Sequence, residues 1–272
     1  MRSLGELHPL SVFCYFAGVM SVCMLSMHPA LIILSLLGCL TLLLLHNQVK
    51  ARTLAASLGL FTALTLLNPL FYHDGITVLF VINDRPFTLE ALLYGAAAAG
   101  MILSMVGWFR LLSRALTSDR LLYLLGRLSP KLALMVSMAL RFVPAFARQG
   151  QRIHQAQQGL GLYRGDNAPD ALRSRIRELS ILTTWALENG IVTADSMAAR
   201  GYGTGRRTSY AIFRFTRADA LFMLFSLALT AVTLTAILSG ALKFDYYPAL
   251  TLPADTLLAR AGLCAYGVLC LL

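Results

Sequence analysis

The chain alternates between long stretches without a charged side chain and shorter stretches rich in arginine. No Asp, Glu, Lys or Arg lies between Glu6 and Lys50. Met27-His28-Pro29 breaks that stretch, which predicts two spanning helices joined by a very short turn. Further uncharged runs separate Arg52 from Asp74, Glu90 from Arg110, and Asp219 from Lys243. A last apolar segment, 252–272, contains Arg260 as its only basic residue, and that side chain can snorkel to an interface. Crossing a hydrocarbon core of ~30 Å takes roughly 20 apolar residues in a helix. Six spans are therefore expected. The first is read as a retained helix, because its apolar run exceeds a signal-peptide core.

Between residues 110 and 217 the pattern changes. The longest uncharged pieces that are also apolar, Leu132–Leu140 and Leu179–Leu187, are nine residues each, too short to span. They suit helices that lie at an interface or pack on one another. Amphipathic helices are expected over 118–128, 130–160 and 170–200. Ser129-Pro130 reads as an N-cap followed by proline at the first helical position. Pro144, just after Arg141, is expected to kink the second helix, which turns polar after Arg148. A turn rich in glycine follows (Gly159, Gly161, Gly165, Asp166, Asn167, Pro169). Leu172, Ile176, Leu179, Leu182 and Ala186 then recur at helical spacing. Gly190 is expected to interrupt that helix, leaving a short final piece, Thr193 to Arg200, capped by Gly201.

Charge sharpens this division. The net charge is +10, and residues 110–217 hold 17 Lys and Arg against 6 Asp and Glu, a balance of +11. The remainder holds 6 against 7. With 57% hydrophobic and 13% charged residues, the composition is that of a membrane protein. Spans one to four thus occupy 1–109, a basic domain 110–217, and spans five and six 218–272. By the positive-inside rule the basic domain, the loop with Lys50 and Arg52, and both termini face the cytoplasm. The loop with Asp74, Asp84, Arg85 and Glu90 faces outside.

Several function classes lose support. The five histidines are scattered and no carboxylate pair is evident, so no catalytic or metal site is expected, and no cofactor. The five cysteines all fall in predicted spans and read as small packing residues. Gly201, Gly203 and Gly205 lack the strand–turn–helix context and lysine of a phosphate-binding loop. The clusters Arg173-Arg175-Arg177, Arg206-Arg207 and Arg214-Arg217 read as a topology and anionic-lipid signal. Aromatic residues do not interleave with them as a nucleic-acid stacking platform would require.

The sharpest local pattern is Ala194-Asp195-Ser196-Met197-Ala198-Ala199-Arg200-Gly201-Tyr202. Asp195 near the start and Arg200 near the end of the short predicted helix both complement its dipole. Little side-chain bulk flanks Arg200, whose planar fork suits a carboxylate. On these residues alone, a well-capped surface helix and a docking end are both open readings.

Ala199-Arg200-Gly201-Tyr202 after Ala194-Asp195-x-Met197-Ala198 resembles the second signature of the transmembrane (T) component of energy-coupling factor transporters, the EcfT/CbiQ family. Other stretches resemble that family in the same order: Asn68-Pro69-Leu70, Thr88-Leu89-Glu90 with Gly95, and Thr117-Ser118-Asp119. Arg141-Phe142-Val143-Pro144 and Ala156-Gln157 then follow. The family's first signature reads Ala-Gln-x-x-Arg-Gly, whereas here Ala156-Gln157-Gln158-Gly159 runs into Leu160-Gly161. Leu160 thus stands where the first coupling arginine is expected. Either that contact is apolar here, or Arg164, one turn on if the helix continues, replaces it. Arg141 reads either as a brace for the helices or as a snorkelling or internally paired arginine.

The resemblance implies an all-α membrane protein with about six transmembrane helices and a cytoplasmic coupling domain of long amphipathic helices. It further implies a non-catalytic scaffold in a bacterial or archaeal plasma membrane. Its partners would be two ABC-type ATPase subunits and a small substrate-binding membrane (S) subunit importing a vitamin or metal ion. Ala156, Gln157, Leu160, Gly161, Ala199, Arg200 and Gly201 would contact the ATPases, with Arg141, Arg164 and Asp195 auxiliary. The rivals are a membrane enzyme acting on lipid or prenyl substrates, resting on Asp166, Asp170 and Asp195, and the permease of a conventional ABC importer.

Overall fold

The computed structural model describes residues 7–45, 51–71, 77–82, 85–162, 168–204, 213–247 and 256–272. Lys50, Asp74 and Asp84, the turn 163–167 and the Arg206-Arg207 pair lie outside the described residues. The chain forms two compact units: Met1–Leu121 together with Phe213–Leu272, and Leu122–Ile212. The basic stretch is thus an insertion between the two groups of apolar helices.

The first unit holds α1 (Pro9–Leu25), α2 (Pro29–Leu45), α3 (Ala51–Phe71), α4 (Leu89–Ala115), α8 (Arg217–Leu238) and α9 (Leu257–Leu271). Its first two helices start in the same way. His8 Nδ1 accepts from the Leu10 N–H at 3.2 Å, and His28 Nδ1 accepts from the Ala30 N–H at 3.2 Å. In each case the intervening proline occupies the first helical turn, where it has no N–H to leave unpaired. Only Ser26 to His28 separates the two helices, the very short turn expected there. The start of α8 is tied to the start of α1. Asp219 and Thr216 form a reciprocal capping box, and Asp219 also accepts from the His8 N–H at 3.0 Å.

Side chains four and three apart on α1 (Val12, Tyr15, Phe16, Val19) are buried against Trp108 of α4 and Tyr266 and Leu269 of α9. Several polar groups that enter this core are paired. The Trp108 indole N–H donates to Ser35 Oγ at 2.9 Å, and Ser104 Oγ lies 2.9 Å from Cys23 Sγ. Hydrocarbon offers no water to replace such partners. All five cysteines are free thiols, and Cys23, Cys39 and Cys270 are buried among the helices, in keeping with a packing role.

Helices α3 and α4 meet at the Asn68-Pro69 stretch. Asn68 Nδ2 donates to the Ala91 carbonyl at 2.7 Å. A Cβ on Gly95 would come within 2.8 Å of the Thr65 carbonyl and 2.9 Å of Asn68 Cβ, so only glycine permits this approach. The segment between α3 and α4 contains a hairpin. Strands β1 (Val78–Ile82) and β2 (Arg85–Thr88) pair antiparallel and lead directly into α4. Glu90 in the first turn of α4 accepts from the Thr77 hydroxyl at 2.5 Å and from its N–H at 3.2 Å. The signal missed in the sequence was Thr77-Val78-Leu79-Phe80-Val81-Ile82, a run of β-branched and aromatic residues.

The second unit is built on α6 (Pro130–Gly159) and α7 (Ala168–Ala199), with α5 (Ser118–Leu128) leading in from the first unit's last residues. Helix α6 follows the expected course, with Ser129 at the N-cap position, though without a side-chain cap bond, and Pro144 inside the helix. Two expectations need correction. Gly190 does not interrupt α7, which runs unbroken for 32 residues. One helical glycine costs only about 1 kcal/mol, too little to break a helix this long. Among the described residues, α6 is also one of four helices long and apolar enough to cross a membrane, by length and composition, beside α3, α4 and α8. Counting uncharged runs had excluded it, because Lys131 and Arg141 punctuate an otherwise apolar stretch. The shorter apolar helices are α1, α2 and α9. The chain is an all-α, multi-pass membrane protein with one small hairpin.

Candidate functional site

The ends of α6 and α7 are built alike. At the end of α6, Gly161 takes φ +69°. Its N–H donates to the Gln158 carbonyl at 3.0 Å, and the Leu162 N–H donates to the Gln157 carbonyl at 3.0 Å. At the end of α7, Gly201 takes φ +73°. Its N–H donates to the Ala198 carbonyl at 2.9 Å, and the Tyr202 N–H donates to the Met197 carbonyl at 3.0 Å. Both are Schellman caps, in which a left-handed glycine folds the chain back over the last carbonyls. The residue preceding each glycine sits at the same position of the cap: Leu160 in one, Arg200 in the other.

This equivalence supports aligning Leu160 with the position of a first signature arginine. The chain leaves the helical path at Gly161; Arg164, on which the alternative rests, lies outside the described residues. Leu160 is 73% exposed. Arg200 is exposed as well. Leu162 and Tyr202, the next residues of the two turns, are both about half exposed.

The turns of α6 and α7 nearest the α6 cap are held together by polar and aromatic contacts. His154 Nδ1 meets Glu178 Oε1 at 2.5 Å, and Arg175 reaches the other oxygen of Glu178 at 3.3 Å. Phe146 stacks edge-on against Trp185, with ring centroids 5.7 Å apart. Ser174 Oγ lies 3.5 Å from the Leu162 carbonyl, which places the α6 end beside the second turn of α7. At 1.5 Å per residue, about 40 Å of helix then separates that end from Arg200. The two caps are therefore far apart on one rigid element. Ala156 and Gln157 lie behind the first cap. Gln157 is buried, and among the described residues its side-chain amide has no hydrogen-bond partner.

Asp195 is reinterpreted by the length of α7. Because the helix begins at Ala168, Asp195 stands next to its last turn, where a carboxylate opposes the helix dipole rather than complementing it. Arg200, at the carboxyl end, retains the favourable position. Asp170 and Asp195 lie at opposite ends of α7, so the acidic cluster that an enzyme reading needs is not assembled. Among the described residues, no three His, Cys, Asp or Glu side chains gather as a metal site.

Arg141 is exposed and faces a cleft between α6 and α7 that Arg148 and Arg200 also line. The internally paired reading of Arg141 finds no partner: among the described residues its guanidinium makes no salt bridge. Arg148 was passed over in the sequence, although its seven-residue spacing from Arg141 places both on one helix face. The unit also exposes large apolar side chains, including Met135 and Val143 on α6 and Leu172, Ile176, Leu179 and Ile191 on α7. Three members of the expected apolar stripe of α7 are thus uncovered.

The uncharacterized protein MG181 of Mycoplasma genitalium is 30% identical over 172 residues, which cover 58% of this chain and 40% of that protein. Its homologue in Mycoplasma pneumoniae is 28% identical over 175 residues, covering 60% of this chain and 40% of that one. The match thus spans about two fifths of these curated relatives. The CbiQ family, described as cobalt transport protein, matches residues 6–211, a segment that takes in both capped helix ends. That match covers most of the chain, and the chain belongs to the CbiQ family of transport proteins.

Proposed function

We propose that this chain is the non-catalytic transmembrane scaffold of an energy-coupling factor importer. It joins two ABC-type ATPases to a small substrate-binding membrane subunit that carries a metal ion or a vitamin. The single observation that carries this reading is the pair of equivalent, exposed Schellman caps. Each presents one side chain, Leu160 or Arg200, at the tip of a helix some 40 Å from the other. A helix tip of this kind fits a groove on a partner, and two tips so far apart fit two partners. ATP-driven closure of the ATPases would move the tips and, through α6 and α7, shift the apolar surface against which the substrate-binding subunit rests. Hydrolysis belongs to the ATPases, and the family's description favours cobalt among the substrates.

In this reading the helices of 110–217 lie at the cytoplasmic face of a bacterial or archaeal plasma membrane, with both termini on the same side. Arg141 argues for α6 resting at the interface rather than crossing. Ten residues beyond Lys131, it would place a charge about 15 Å deeper along a spanning helix, at a cost of several kcal/mol.

Arg200→Glu tests the docking role. Membrane insertion should persist while ATPase co-purification and uptake are lost. Unchanged co-purification together with unchanged uptake would refute it.

A further inference from the structure

Arg141, Arg148 and Arg200 line one cleft of about 480 Å³ between α6 and α7. No carboxylate lines it. Among the described residues none of the three guanidinium groups makes a salt bridge. Three like charges sharing so small a space repel one another, and an anion seated between them would relieve that repulsion. The walls are mixed: Met138, Phe142 and Val192 line the cleft beside Asn189, Thr193 and Ser196. Two of the three charges belong to α6, the helix of this unit that is long and apolar enough to enter a membrane.

A ligand for this cleft therefore needs a compact anionic group beside an apolar body, at the membrane surface. Guanidinium forks match phosphate oxygens two at a time. Basic pockets between helices near the cytoplasmic face are the usual seats of anionic headgroups. We propose that the cleft binds the phosphate group of an anionic phospholipid, with Arg141 and Arg148 as its principal contacts. The proposal rests on the cleft and on the membrane setting, not on ATPase docking. Arg200 serves the docking reading too, and so it is left intact in the test.

The experiment uses the full chain in mild detergent, with bound lipid counted by native mass spectrometry. Phosphatidylglycerol and phosphatidylcholine are offered at equal concentration, and inorganic phosphate is added in a separate arm. Arg141→Gln with Arg148→Gln should lower phosphatidylglycerol retention about tenfold, the value of one lost charge-assisted hydrogen bond. Arg152→Gln with Arg177→Gln removes the same charge elsewhere and should change retention less than about twofold, as exposed charges contribute little. If the glutamine pair fails to insert, Arg141→Lys with Arg148→Lys keeps the charge without the fork and should still show a measurable fall.

Equal losses in the two pairs, or no preference for phosphatidylglycerol over phosphatidylcholine, would overturn the proposal. Displacement of lipid by millimolar inorganic phosphate would keep the phosphate chemistry but overturn the lipid source. Retention unchanged while ATPase co-purification is lost would assign the cleft to an acidic segment of a partner instead.

Discussion

Gly201 is where the backbone requirement of the docking end can be separated from its charge. Its φ of +73° lies in the left-handed region, which costs an L-residue with a Cβ roughly 1–2 kcal/mol. Gly201→Ala keeps Arg200 and every formal charge, but it penalises the cap that positions the arginine. The added Cβ would sit 3.3 Å from Thr204 Oγ1, a side chain able to turn away, so the backbone term dominates. If docking needs the capped conformation, binding to the ATPase pair should weaken by roughly 5–30-fold. Gly161→Ala pays the same backbone cost at the other end, with nothing within 4 Å of its Cβ. Asparagine tolerates the left-handed region better than alanine, so Gly201→Asn should recover much of the loss. The assay is titration of the purified ATPases onto the detergent-solubilised chain, with Gly150→Ala, inside α6 and unobstructed, as a neutral control. Binding by Gly201→Ala within twofold of the parent would refute the argument, as would losses in the alanine and asparagine variants that are the same size.

Leu160→Arg should be accepted without loss of uptake if Leu160 faces an ATPase groove that can take either residue; abolished ATPase binding would show that the groove is strictly apolar. Gly95→Val should separate α3 from α4 and cost about 1–3 kcal/mol, read as a lowered thermal midpoint in detergent, whereas Gly59→Ala, with open space around it, should not lower it. Trp108→Phe removes the donor to Ser35 and should cost about 0.6–1.7 kcal/mol in the same measurement. A midpoint unchanged to within a degree would mean that Ser35 finds another partner.

Much of this architecture was legible because charge and hydropathy are coarse signals that survive any detail of packing. The gap between Glu6 and Lys50, the break at His28-Pro29 and the Ser129-Pro130 start all correspond to observed boundaries. The Gly201 cap was legible for a local reason, a glycine directly after the last residues at helical spacing, whereas Gly161 read only as part of a glycine-rich turn. Gly190 misled because a glycine is a weak signal, outweighed here by many helix-forming neighbours. The hairpin before α4 was hidden by treating a polar-flanked segment as loop without weighing its β-branched run. The cleft was hidden for another reason. It depends on α6 and α7 facing each other at Arg141, Arg148 and Arg200, residues up to 59 positions apart, and no local pattern encodes that meeting.

The matched caps have a consequence for how a complex could be assembled. Two tips of identical backbone geometry but different chemistry, one greasy and one cationic, make the scaffold a plug with two unlike pins. If the ATPases are a non-identical pair, each pin selects its own socket and only one orientation of the pair mates. If they are two copies of a single chain, that chain's socket must tolerate both pins, and the complex becomes lopsided even though its motor is symmetric.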